Sequence, residues 1–131
     1  MKFNYSDIFV TIATAEIQQL VKFYSQLFRQ QPTVHLPLKY AEFQLEQLRI
    51  AIFHPKSEHQ AEFNHDYPGS ISFCLEVPSL EQAIACISAL GYPPPGKIIT
   101  AAHGREIYAY DPAGNRLILH QSTVVEEVLK A

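Results

Sequence analysis

Apolar residues along the chain follow two rhythms, and each half of the sequence runs through both in the same order. In residues 7–14 the apolar positions alternate. Ile8, Val10 and Ile12 share one side, and Phe9, Thr11 and Ala13 the other, which is the pattern of a strand. Over residues 16–29 the spacing lengthens. Ile17, Leu20, Val21, Tyr24, Leu27 and Phe28 line one face of a helix, and Pro32 marks its end. Residues 33–36, 40–45 and 48–53 then predict three short strands, with a break at Pro37 and a turn at Glu46 and Gln47.

The second half repeats this plan after a polar, proline-bounded connector at 55–68. Residues 70–77 predict a strand with Ile71, Phe73, Leu75 and Val77 on one face and Ser70, Ser72 and Cys74 on the other. Ser79 and Gln82 stand in capping-box register at the start of a helix. Its apolar face is Leu80, Ala83, Ile84, Ile87 and Leu90, and Gly91 ends it. Residues 97–101 predict a strand. A hairpin follows, Ile107 to Tyr110 and Leu117 to Leu119, around the turn Asp111-Pro112-Ala113-Gly114-Asn115. Residues 122–130 predict a short terminal helix, with Thr123 and Glu126 in capping register.

The two halves superimpose numerically. A shift of 63 carries the first helix face onto the second, Phe9 onto Ser72 and Ile12 onto Leu75. A shift of 67 carries Arg49-Ile50-Ala51-Ile52 onto Arg116-Leu117-Ile118-Leu119. Each half is therefore β, α, then three strands, with one sheet face under the helix. In the first half that face is Ile8, Val10, Ile12, Ile50 and Ile52. In the second it is Ile71, Phe73, Leu75, Leu117 and Leu119.

Composition narrows the function classes. With 131 residues and 47% hydrophobic content, a sizeable core can form. A net charge of −3 without a basic stripe argues against nucleic acid as a partner. The first residues carry no long apolar run, which argues against a membrane span or a secretory leader. Cys74 and Cys86 sit inside apolar segments and read as buried, reduced thiols, and a cytoplasmic location is expected.

Paired βαβββ modules, Phe23-Tyr24 inside the first helix and GREIYAYDPAGN before the last strand together resemble the vicinal oxygen chelate superfamily. That group includes glyoxalase I, fosfomycin-resistance proteins, bleomycin-resistance proteins and extradiol dioxygenases. The resemblance spans residues 7–121 and implies an α+β fold, paired βαβββ modules forming a cup-shaped sheet with helices outside. It implies one glyoxalase-like domain over 1–131, built from modules 5–55 and 68–121 with linker 56–67 and tail 122–131, and often a homodimer.

Metal-dependent members place His, Gln or Glu at four cup-facing positions, because a divalent ion needs converging nitrogen and oxygen donors. The resemblance maps these onto Phe9, Ala51, Ser72 and Ile118. Three have no donor atom, and Ser72 is a poor ligand alone. A slip of one residue recovers no donor set. His120 lies two residues beyond Ile118 on the same face, but its repeat partner is Phe53. His35 and His103 fall near strand ends. No metal and no cofactor is therefore expected.

Strand alternation puts Phe9, Thr11, Arg49, Ala51 and Phe53 from the first module on the cup side, with Ser72, Cys74, Arg116, Ile118 and His120 from the second. Phe9, Phe53 and Ile118 offer apolar contact, Ser72 and His120 hydrogen bonds, and Arg49 or Arg116 positive charge. Cys74 and His120 could form a nucleophile pair, although an unactivated thiol is the commoner case. Arg105 and Asp111 read as supports of the hairpin. The expected function is metal-free binding of a small, partly apolar molecule. The alternative is a metal-dependent glyoxalase I-type lyase or dioxygenase with a displaced metal site.

Overall fold

In the computed structural model, residues 1–4, 6–64 and 68–123 are described. The terminal helix expected from residue 122 onward falls mostly outside them. Two compact units divide the chain, Met1–Asn64 and His65–Ala131.

The first unit begins with β1 (Val10–Ala13) and α1 (Ile17–Phe28), followed by β2 (Val34–Leu36), β3 (Tyr40–Gln44) and β4 (Arg49–Phe53). The sheet order is β1-β4-β3-β2, so the first strand pairs in parallel with the last and the others run antiparallel. Register places Val10 beside Ile50 and Ile12 beside Ile52, with Ala41 and Phe43 opposite the same two isoleucines. Ile12, Ala41, Phe43, Ile50 and Ile52 are buried, as are Ile17, Leu20, Val21, Phe23 and Tyr24 of α1. These two apolar surfaces form the core of the unit; Ile12, Ile50 and Ile52 of the face read from alternation are in it, and Val10 is half-buried. The helix ends because Arg29 turns left-handed at φ 53, its N–H reaching back to the Ser25 carbonyl. The polar connector is not featureless: it carries a 3₁₀ turn at Ser57–His59 and α2 (Gln60–Phe63).

The second unit repeats the topology with β5 (Phe73–Glu76), α3 (Leu80–Ala89), β6 (Ile99–Ala101), β7 (Gly104–Tyr110) and β8 (Arg116–Ser122) in the sheet order β5-β8-β7-β6. Leu117, Leu119, Ile107 and Ala109 are buried together with Leu80 and Ile87 of α3. Gln121, on the same face, fixes the helix start. Its side-chain oxygen accepts from the Leu80 N–H at 2.8 Å and from Arg105 at 3.0 Å. Ser79 caps the helix by accepting from the Gln82 N–H. Arg105 forks onto Glu81 at 2.7 and 3.0 Å, and those hydrogen bonds hold the Glu81 carboxyl down to about 2. The pairing of Arg105 with α3 confirms that β7 turns its odd-numbered residues toward the helix.

Two expectations are corrected. Ile8 and Ile71 lie outside the strands and are exposed, because β1 starts only at Val10 and β5 only at Phe73. Cys74 and Cys86 are exposed rather than buried. Cys74 points away from the α3 side of its sheet, and Cys86 is offset from the Ile84 and Ile87 stripe of its helix. No helix among the described residues is long and apolar enough to cross a membrane.

Candidate functional site

In the second unit the sheet face turned away from α3 is set by the hairpin register. The turn at 111–115 pairs Glu106 with His120, Tyr108 with Ile118 and Tyr110 with Arg116. The parallel pairing adds Cys74 beside Ile118 and Glu76 beside His120. Ile99 of β6 lies opposite Glu106. Alternation then puts all of these side chains on one face.

Asp111 makes this register rigid. Its carboxylate accepts from the Ala113 and Asn115 N–H groups, both at 2.9 Å, and from the Asn115 side-chain amide at 2.8 Å. Gly114 supplies the positive φ of 88 that closes the turn. Both Asp111 and Arg105 support the hairpin, as the sequence suggested.

Along one end of the face, Pro95, Gly96, Lys97, Ile99, Tyr108 and Tyr110 line an open recess of about 500 Å³. Its walls are aromatic and aliphatic, with the Lys97 ammonium as a cation at hand. Ile118 sits next to Tyr108 in register and extends the apolar surface. Arg116 is committed elsewhere. It donates to the Ser72 hydroxyl at 2.8 Å and to the Gly69 carbonyl at 2.7 Å, tying the approach to β5 onto β8. Ser72 and Arg116 therefore act on each other.

At the other end, His120 is buried, only 8% exposed. Its Nδ1 lies 2.6 Å from the Glu76 carboxylate. The His103 ring stacks on it at 5.2 Å between centroids and 14° between planes. Among the described residues, His103, Glu106 and His120 can bring one donor atom each to within 4.8 Å of one another. Desolvation, and then the carboxylates of Glu76 and Glu106, push the Cys74 thiol above its ordinary value, which disfavours the thiolate.

In the first unit the corresponding face carries Thr11, Arg49, Ala51 and Phe53, with Phe9 just before β1. Arg49 is occupied there: its guanidinium lies 3.9 Å over the Phe9 ring and pairs with Asp7. Ala51 is fully buried. Phe53 packs edge-to-face with Phe63, and the two help line a second recess of about 510 Å³ with His54, Pro55, Lys56, His59 and Glu62. The ten residues named from sequence thus divide five and five between the two units.

Sequence reasoning missed Glu76, Ile99, Glu106, Tyr108 and Tyr110. The signal was present in the alternation of Glu106, Tyr108 and Tyr110 against Ile107 and Ala109. A turn centred on Ala113 already pairs Glu106 with His120.

The four positions that the resemblance maps to a metal offer no donor set. Phe9, Ala51 and Ile118 have no side-chain donor, and the Ser72 hydroxyl is held by Arg116.

No family model and no curated protein matches the chain. Solved structures do. A glyoxalase-related enzyme from Fulvimarina pelagi has a TM-score of 0.72 at 16% identity, covering 92% of this chain and 91% of its own. The fosfomycin resistance protein FosX from Listeria monocytogenes has a TM-score of 0.72 at 20% identity, covering 95% and 98%. A glyoxalase/bleomycin resistance protein from Catenulispora acidiphila has a TM-score of 0.62 at 21% identity, covering 88% and 96%. The α+β fold of the glyoxalase/bleomycin resistance group, expected from the paired modules, is therefore the fold of this chain.

Proposed function

We propose that the protein binds a small, partly apolar molecule on the face of the second sheet turned away from α3, without a metal at the family position. The observation that carries this is the recess of about 500 Å³ beside Tyr108, Tyr110 and Ile99, a volume within the range of small-molecule sites. Aromatic and aliphatic walls supply apolar contact area. Lys97 favours a ligand with an anionic or strongly accepting group.

Tyr108 offers a clean test, since it is 38% exposed and its removal costs little core packing. A library of small aromatic and aliphatic acids should contain compounds that raise the melting temperature of the parent protein. Tyr108→Ala should weaken their binding at least tenfold, about 1.4 kcal/mol, with little change in the ligand-free melting temperature. A library without hits, or hits that bind the variant equally well, would contradict the proposal.

A homodimer belongs to the same proposal. β2 stands at the edge of its sheet and carries exposed Val34 and Leu36, an apolar edge that a second copy can cover. Sedimentation at micromolar concentration should give twice the chain mass; a monomer mass would remove this part. The second reading, metal-dependent chemistry at a displaced site, is favoured by the convergence of His103, Glu106 and His120.

A further inference from the structure

We infer that His103, Glu106 and His120 form a binding site for one divalent transition-metal ion, of the Zn²⁺, Co²⁺ or Ni²⁺ type, displaced from the family position. It extends the binding-face proposal above but rests on separate observations.

The first observation is the buried imidazole. His120 Nε2 is shielded from solvent and has no hydrogen-bond partner. An unsatisfied polar atom in such a place is costly unless something fills its valence.

The second is its orientation. Glu76 lies on β5, to one side of His120, and its carboxylate can only accept, so Nδ1 must carry the ring proton. In the neutral ring Nε2 then holds the lone pair. A carboxylate on the far nitrogen is the usual arrangement behind a metal-bound histidine.

The third is what stands on the other side. β7 places Glu106 directly opposite His120, and the turn into β7 places His103 over the ring. Gly104 leaves the space open: a Cβ there would come within 3.0 Å of Nε2.

Two imidazoles and one carboxylate suit borderline ions, unlike the all-oxygen shells of Ca²⁺ and Mg²⁺. Bonds of about 2.1 Å to a tetrahedral ion would place donors roughly 3.4 Å apart. Closing from the present spacing requires a modest movement. The exposed His103, in a two-residue turn, can supply it. Three protein donors leave a four-coordinate ion one open position for water or a ligand oxygen. Tyr108 follows Glu106 by two residues on the same face, about 7 Å along the strand. A molecule resting on Tyr108 is therefore within reach of that position.

The test uses the whole protein without an affinity tag, stripped with EDTA and dialysed. Zn²⁺ is titrated by calorimetry, and Co²⁺ by its visible absorption. One ion per chain should bind. His103→Ala and Glu106→Gln should each weaken it at least tenfold, and Glu76→Gln about 10–100-fold as the orienting group. Both exposed or half-exposed ligand variants should keep the parent's circular dichroism and metal-free melting curve. His59→Ala, on the first unit, should bind as the parent does. Absence of a stoichiometric site would overturn the inference, as would binding unchanged in His103→Ala and Glu106→Gln. Repeating the Tyr108 ligand screen in EDTA keeps the two proposals separate, because small-molecule binding can survive when the metal site fails, and the reverse.

Discussion

Replacing Gly104 by alanine should destabilise the protein by about 3 kcal/mol or more, lowering the melting temperature by roughly 10 °C. Two costs combine. Gly104 has φ 152, a conformation L-residues rarely adopt, and such backbone strain costs about 1–3 kcal/mol. The new Cβ would also meet the Gln121 carbonyl oxygen at 2.4 Å, far inside contact distance and against backbone that cannot step aside. Gly104 pairs with Ser122, so β7 and β8 would have to separate where Gln121 caps α3. The reading is a denaturant or thermal unfolding curve. Gly91 is a matched control: it too has positive φ, at 102, but nothing lies within 4 Å of a Cβ there. Gly91→Ala should therefore cost only the backbone share. Equal losses at the two positions would mean that the close approach to Gln121 contributes nothing.

Asp111→Ala should cost about 2–4 kcal/mol. Asp111 is 3% exposed, and its carboxylate accepts three hydrogen bonds inside a five-residue turn. Removing it leaves a buried void and frees the turn that sets the hairpin register. Asp111→Asn is the informative companion. Its amide oxygen can still accept from the Ala113 and Asn115 N–H groups, while its amide nitrogen meets the Asn115 amide as donor against donor. It should recover part, but not all, of the lost stability in chemical unfolding. An alanine variant as stable as the parent would show that the turn is held by Pro112 and Gly114 alone.

The parts of this molecule that bury apolar surface were legible in the sequence because burial imposes periodicity. Ile12, Ile50, Ile52, Leu117 and Leu119 announced both sheets, and the offset of 63 between the helix faces announced the repeated module. Strand starts were less legible. Ile8 and Ile71 continue the alternation but lie beyond the last ladder partner, and alternation carries no record of where pairing stops. Cysteine burial was misread because sitting within an apolar segment does not put a side chain on the segment's buried side.

The candidate site was legible only in half. Ile118 and His120 were found by counting from the family position. Glu106, Tyr108 and Tyr110 belong to the neighbouring strand, and their relevance depends on pairing across the hairpin. His103 joins through a turn, where no periodicity applies, and Glu76 through a parallel ladder between strands 44 positions apart in sequence. Such convergence is a property of register, which the chain encodes in Asp111 and Gly114 rather than in the residues brought together.

Anomalous diffraction from crystals of the tag-free protein soaked in Zn²⁺, recorded above and below the zinc edge, tests the central claim most directly. One peak per chain between His103, Glu106 and His120, with none beside Ile118 and Ser72, is the expected result. A peak beside Ile118 and Ser72, or no peak at His120 in crystals whose remaining histidines take up zinc, would contradict it.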